Sequence, residues 1–387
     1  MINSYESKIA KELKGAVQVY DVNDAKIDCI VYVKDYMAFK KLLQKQNYIF
    51  TEFPFISAMG IKLKNSEIFD FAQNKLTCFI TKQTKVFAQI DLSKNLLQAQ
   101  EFYDRGIYGQ DVSIAIIDTG ISSHLDFCMG ENRIIKFIDL INHRETPYDD
   151  NGHGTFVASI AAGSGMALGG KYKGIAPKCK IVAIKAIEKS GETGAYTILE
   201  AMQWIAENHS KYNIKVVCMS FGSTPLGQND PLIMGASVLW GLGIVVVAAA
   251  GNSGPETATI KSPGYNPRII TVGGMDDGRD SENPAFSIAK FSSRGPAGSF
   301  FKPDIVAPAI NITGADIFSN SGNFYTKMSG TSVATPMIAG VCALMISQHP
   351  YLSPDMIKVR LLSICQNITK NKNEEGYGFP QLSRYFR

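Results

Sequence analysis

The 387-residue sequence has no apolar run near its start. Its opening stretch, MINSYESKIAKELKG, lacks the hydrophobic segment that a secretory leader requires. Its seven cysteines (Cys29, Cys78, Cys128, Cys179, Cys218, Cys342 and Cys365) form no CxxC pair, and their number is odd. Scattered cysteines within apolar runs read as buried free thiols, so a reducing, cytoplasmic setting is expected. Charged residues make up only 19% and the net charge is +4, which argues against nucleic acid or a membrane surface as partner. The longest apolar helix, after Ser332, is interrupted by Pro336 and Gly340 and reads as too short to span a bilayer. There is no internal repeat and no low-complexity segment. A hydrophobic content of 45% marks a globular chain, long enough for one large domain and a small one.

Residues 1–87 read as a small α+β unit. Ile27–Lys34, Tyr48–Ile56, Met59–Lys64 and Leu76–Thr81 have strand character. Asp35–Gln46 places Tyr36, Phe39 and Leu43 on one helical face, and Ser66 is positioned to cap a helix over Ser66–Gln73. The order βαββαβ is ferredoxin-like. Residues 82–110 form a connector with a short helix near Leu96–Tyr103. From Asp111 the texture changes. The stretches 112–118, 181–187, 215–220, 244–250 and 269–273 are nearly continuous apolar strands. Helical patterns lie over 154–162, 195–210, 230–242, 333–348 and 354–365. Strands without alternation are buried on both faces, which predicts a doubly wound, mostly parallel α/β sheet. Pro284 to Gly298 reads as a surface loop.

Sites on such sheets form beyond the carboxyl ends of the strands. Here the first strand ends in Asp118-Thr119-Gly120, and the fourth in Gly251-Asn252-Ser253-Gly254. His153 lies between glycines in the first turn of a helix. Ser332, in Gly330-Thr331-Ser332-Val333-Ala334-Thr335-Pro336, opens an apolar helix. Each piece alone has a plain structural reading: a turn, a helix cap. Together they supply a mechanism. A serine hydroxyl needs a neighbouring base, histidine suits that role near neutral pH, and a buried carboxylate orients the imidazole. The oxyanion then finds donors in the Asn252 amide and the N–H of Ser332.

The order Asp…His…Ser and the motifs IIDTG, GHGTFVA, AAAGNSGP and GTSVATP make residues 111–366 resemble the subtilisin-like serine proteases. Within that family the stretches Tyr148–Gly154, Gly170–Gly174 and Ser262–Gly264 are most similar to the AprX-type intracellular enzymes. The resemblance implies a serine endopeptidase made as a zymogen, with Asp118 orienting His153, Ser332 as nucleophile and Asn252 in the oxyanion hole. It implies that Ser220, Phe221 and Gly222 line one side of the substrate cleft, and that Gly191 to Tyr196, with Gly191 and Gly194, line the other. It further implies a propeptide domain over 1–87, acting as a bound inhibitor, and a catalytic domain over 88–387. The partners implied are polypeptide substrates and the chain's own propeptide. Self-cleavage is expected at Phe87–Ala88, with Gln98–Ala99 as the other candidate.

Lys261 is placed near the floor of the pocket for the residue before the cut bond. Pointing inward it favours acidic or amide side chains; pointing outward it leaves an apolar pocket. The family's usual histidine after Gly-Thr is Phe156 here, a position that need not touch catalysis. Gly163–Gly174 lacks the Asn-containing loop that holds calcium in secreted subtilisins, so no cofactor and no metal is expected. Asp126 reads as a surface acid or as a ligand elsewhere. Two other readings remain: a silent binding protein on the same fold, against which the complete triad argues, and an esterase, against which the missing Gly-x-Ser-x-Gly elbow argues.

Overall fold

The computed structural model describes residues 6–10, 13, 26–83, 85–88, 99–278, 286–317 and 324–386. In the first unit, β1 (Ile27–Val33), α1 (Tyr36–Lys45), β2 (Phe50–Phe53), β3 (Ala58–Leu63), α2 (Asn65–Gln73) and β4 (Thr77–Lys82) follow one another. The sheet order is β2-β3-β1-β4, with every pair antiparallel. This is the ferredoxin-like arrangement. Pro54, which has no N–H to give a ladder, opens the turn Pro54–Ile56 that ends β2 earlier than expected. The cap of α2 also differs from expectation: Glu67 accepts from the Lys64 N–H at 2.7 Å, and the helix starts one residue before Ser66.

Alternation along β1 sends side chains to two different cores. Cys29, Val31 and Val33 pack with Phe39, Leu43 and Phe71 of the unit's own helices. Ile30 and Tyr32 join Phe53, Ile56 and Ala58 in the core of the larger domain. The small sheet is therefore covered on both faces.

The larger domain follows β5 (Lys85–Ala88). Its sheet strands are β6 (Ser113–Asp118), β7 (Ile134–Asp139), β8 (Lys180–Lys185), β10 (Ile214–Met219), β12 (Val245–Ala249), β13 (Ile270–Asp276), β14 (Ser287–Ile288) and β15 (Ile305–Pro308). Two short strands, β9 (Glu192–Gly194) and β11 (Phe221–Gly222), lie outside that sheet. The order β14-β13-β12-β10-β6-β8-β7, with β15 also on β13, is parallel except for β14. The longer helices are α3 (His153–Ala162), α4 (Ala195–Asn208), α5 (Pro231–Gly241), α6 (Thr331–Gln348) and α7 (Pro354–Ser363), and β16 (Ile312–Ala315) pairs with β17 (Tyr325–Met328) as a hairpin.

β7 (IIKFID) went unread in the sequence; at the sheet edge only three of its six residues are buried, and Lys136 interrupts its apolar run. The segment expected as a surface loop, in its described part, alternates between exposed and buried residues. Ser292 and Ser293 are fully buried and accept from the N–H groups of Gly274 and Ser253 at 3.0 Å each. Helix α6 is 18 residues long and, contrary to the sequence expectation, has the length and apolarity of a membrane span. It is 89% buried within the protein and contacts β6, β10, β12, β13 and β15, so it is the core helix.

The small sheet docks on α4 and α5. Phe55 N–H donates to Gln203 Oε1 at 3.1 Å, Tyr32 Oη to the Asn229 carbonyl at 3.3 Å, and Tyr196 Oη to the Cys29 carbonyl. A side chain on Gly60 would meet the Tyr196 ring at 2.9 Å.

Phe156 is fully buried in α3, with its ring 2.8 Å from the space that a Gly314 side chain would occupy in β16. Phe156→Ala is expected to destabilise the protein by about 3–5 kcal/mol, read as a lower denaturant midpoint. Gly314→Ala is expected to destabilise through overpacking against the same ring.

Candidate active site

Asp118 is the last residue of β6, level with Lys185 in β8; its neighbour Ile117 is level with Met219 in β10. An acid at that position emerges at the carboxyl edge of the sheet. Its Oδ1 accepts from the Thr119 N–H at 2.7 Å and lies 2.7 Å from His153 Nδ1. Both side chains are 1% exposed. A short, buried carboxylate–imidazole contact fixes the ring's orientation and favours the tautomer with hydrogen on Nδ1.

The Gly-His-Gly motif has a steric cause. Gly152 adopts φ +96°, a left-handed conformation that admits the turn into α3. A Cβ on Gly154 would stand 2.1 Å from the Gly120 carbonyl oxygen. Only glycine lets α3 lie this close to the end of β6.

The loop before His153 is organised by Asp149, a residue within the quoted motif that sequence reasoning left without a role. Its Oδ1 accepts from Thr119 Oγ1 (2.9 Å) and from the N–H groups of Asn151 (3.1 Å) and Gly152 (2.9 Å). Its Oδ2 accepts from Thr155 N–H (2.9 Å) and Oγ1 (2.7 Å). Thr119 Oγ1 in turn accepts from the Gly154 N–H at 2.9 Å. Lys185 adds a buried cation, whose Nζ donates to the Thr119 carbonyl and to Asp150 Oδ1, both at 2.6 Å. The sequence signal was an acid pair directly before the glycine turn.

Ser332 is the second residue of α6 and fully buried. Asn252 follows β12, and its Oδ1 accepts from Thr331 N–H at 2.9 Å and Thr331 Oγ1 at 3.0 Å. The Gly251 N–H donates to the same Thr331 hydroxyl at 3.2 Å. With its oxygen held, the Asn252 amide keeps its nitrogen as a donor beside the helix N-terminus that carries Ser332. Burial pushes the nearby Cys218 thiol up to about 12, against a lowering contact with Ser220 Oγ at 3.6 Å; the Asp118 charge pushes it further up. That thiol stays protonated and unreactive.

The cleft walls also come together. β11 and β9 flank β5 in a three-stranded antiparallel sheet. Phe87 is level with Gly222 on one side and Glu192 on the other; Ala88 is level with Phe221, and Lys85 with Gly194. Gly191 turns into β9 at φ +82°. Ser220 is buried between β10 and β11. The Lys261 N–H donates to the Ala250 carbonyl at 2.8 Å, and the Lys261 Cγ lies 2.5 Å from the space a Gly251 side chain would fill. The stem of Lys261 thus lies against the glycine that precedes Asn252. Of the alternative cleavage bond Gln98–Ala99, residue 98 lies outside the described residues.

Asp126 is neither at the surface nor placed to bind a metal. It is buried, and Tyr325 Oη donates to both of its oxygens at 2.7 and 2.9 Å. The Ala167 N–H donates to Oδ1 at 3.1 Å. A hard cation needs oxygen ligands, whereas the loop 163–174 turns an N–H toward this carboxylate, so the residues here do not fit calcium. Among the described residues no group of three His, Cys, Asp or Glu is placed to hold a metal.

The sequence pattern of the Subtilase family matches residues 109–379. The chain belongs to the subtilase family. It is 38% identical to the serine protease AprX of Bacillus subtilis (strain 168) over 314 residues, 76% of this chain and 70% of that one. It is 32% identical to subtilisin DY of Bacillus licheniformis over 276 residues, 70% of this chain and 90% of that one. In fold it is similar to fervidolysin from Fervidobacterium pennivorans, a keratinolytic enzyme related to subtilisin. There the TM-score is 0.75 at 19% identity, covering 97% of this subtilase and 62% of the fervidolysin chain. The α/β subtilisin fold expected from the sequence is thereby shown.

Removing the Asp149 carboxylate leaves buried N–H groups unpaired and frees the turn that aims His153. Asp149→Ala is expected to lower kcat about 10²-fold with a smaller change in KM, measured on a peptide substrate. Tyr325→Phe removes two donor contacts from buried Asp126 and is expected to cost about 1–3 kcal/mol in a denaturant titration while leaving kcat nearly intact.

Proposed function

We propose that this subtilase is a serine endopeptidase that hydrolyses polypeptides through an acyl-enzyme, and that it is made as a self-processing zymogen. The observation that carries the reading is the buried 2.7 Å contact between Asp118 and His153, together with Asn252 anchored on Thr331 next to Ser332. In this reading Ser332 Oγ attacks the carbonyl carbon, and His153 takes the serine proton and passes it to the leaving amine. Asp118 stabilises the imidazolium, and Asn252 Nδ2 with the Ser332 N–H receives the oxyanion. The substrate adds as a strand between β9 and β11, the place β5 takes here.

That strand also supports the zymogen. It connects the ferredoxin-like unit to the larger domain while lying between the cleft walls, and Ser332 and His153 are at most 1% exposed. A segment tethered in this way reacts at high effective concentration and, once cut, stays as a bound inhibitor held by the contacts on α4 and α5. Seven free cysteines support action in a reducing, cytoplasmic setting. The likeness to AprX and subtilisin DY, both named as proteases, supports the same chemistry.

Ser332→Ala, His153→Ala and Asp118→Asn are each expected to lower kcat by about 10⁴-fold or more, because the three act as one unit. Asn252→Ala is expected to cost about 10²–10³-fold, since one oxyanion donor remains. A fluorophosphonate probe should label Ser332 once the N-terminal unit is removed. A protein that stays unlabelled after that removal is a silent binding protein on this fold and not an enzyme.

A further inference from the structure

We infer that Ser293 is a positioning residue of the oxyanion site, holding the backbone of Asn252 so that its amide nitrogen stays aimed beside Ser332; this rests on the peptidase reading above. Planar peptide units leave each residue two soft dihedral angles, so fixing the units on both sides of it fixes its direction. One residue, Ser293, does both for Asn252. Its N–H donates to the Gly251 carbonyl at 2.8 Å, which holds the peptide unit before Asn252. Its Oγ accepts from the Ser253 N–H at 3.0 Å, which holds the unit after it. Thr331 then takes the side-chain oxygen through its N–H and Oγ1, at 2.9 and 3.0 Å. With both peptide planes and the amide oxygen tied, the direction of the amide nitrogen is fixed before any substrate arrives, as an oxyanion donor requires.

The surroundings are built for this contact. Ser293 is fully buried. Gly251 has φ +111°, and a Cβ there would stand 2.8 Å from Ser293 Oγ, so glycine lets the hydroxyl approach the turn. A Cβ on Gly254 would stand 2.1 Å from the Ser292 carbonyl oxygen, and the Gly254 N–H donates to the Phe291 carbonyl at 2.9 Å. The two glycines thus let residues 291–293 lie directly against the turn that carries Asn252. The neighbouring Ser292 supplies a matched contrast. It is equally buried, and its Oγ accepts from the Gly274 N–H at 3.0 Å, in β13 and not in the turn. Adjacent serines make the same kind of bond, and only Ser293 makes it to the residue beside Asn252. Removing the Ser293 hydroxyl takes the acceptor from the Ser253 N–H and frees the peptide unit after Asn252 to rotate. A shift of that unit moves the amide nitrogen against Ser332, and small misplacements of a catalytic donor are costly.

The test reads kcat and KM on a peptide substrate, with the rate of fluorophosphonate labelling of Ser332 beside them. It uses the purified full-length chain, before and after an added protease, then inhibited, has removed the N-terminal unit. Ser293→Ala is expected to lower kcat about tenfold or more, with KM within about twofold of wild type. In the Asn252→Ala background the same change is expected to lower kcat by about twofold at most, because the group it positions is gone. Ser292→Ala is expected to lower the denaturant midpoint as Ser293→Ala does, while keeping kcat within about twofold. If Ser293→Ala does not fold, Ser293→Cys, which keeps the volume and weakens the acceptor, is read in its place. A kcat loss of the same factor with and without Asn252 is a structural effect and overturns the inference. So does an unchanged kcat in Ser293→Ala, or a loss as large in Ser292→Ala; each leaves the peptidase reading standing. A wild type that neither cleaves the peptide nor takes the label in either state overturns the peptidase reading, and the inference with it.

Discussion

The arrangement depends on holding one buried carboxylate, Asp118, against one buried imidazole, His153. A buried carboxylate without partners is costly, and two contacts are fixed on one of its oxygens. The Thr119 N–H and His153 Nδ1 are both 2.7 Å from Asp118 Oδ1. Around them Asp149, Thr119, Thr155 and Lys185 form a second ring of buried hydrogen bonds that joins the ends of β6 and β8, the turn before α3 and the first turn of α3. The fold supplies the edge where these groups meet, and the glycines at 152 and 154 remove the atoms that would keep them apart.

The proposed substrate cleft is arranged on a different principle. The walls β9 and β11 are sheet edges left open for a third strand, and open edges attract any extended segment. The chain's own residues Lys85–Ala88 fill this edge and remove that hazard. The ferredoxin-like unit sits on α4 and α5, both of which follow elements of the cleft. Its docking surface and the cleft are therefore held by the same two helices.

Much of this was legible in the sequence because the decisive residues carry strong local signals. Asp118 interrupts an apolar run at a strand end, His153 stands between glycines, and Ser332 opens an apolar helix. The uninterrupted valine and isoleucine runs gave away a parallel sheet. The rest depended on partners far away in the chain. β7 is an edge strand with three of its six residues buried, and a lysine interrupts its apolar run. Asp126 reads as a surface acid until Tyr325, 199 residues later, is seen to donate to it. Ser292 and Ser293 read as loop residues because polar serines bury only where backbone N–H groups await them, which composition does not show. The fate of the strand Lys85–Ala88 was set by two short walls more than a hundred residues downstream.

Helix α6 has a consequence for the timing of synthesis. It runs through the centre of the larger domain and touches strands β6, β10, β12, β13 and β15. It also bears Ser332, the last in the chain of the three residues of the proposed triad: Asp118, then His153, then Ser332. A nascent chain still on the ribosome has Asp118 and His153 long before it has Ser332. When Ser332 emerges, the helix carrying it finds its place only against those five strands. The three residues of the proposed triad therefore come together only with the completed core.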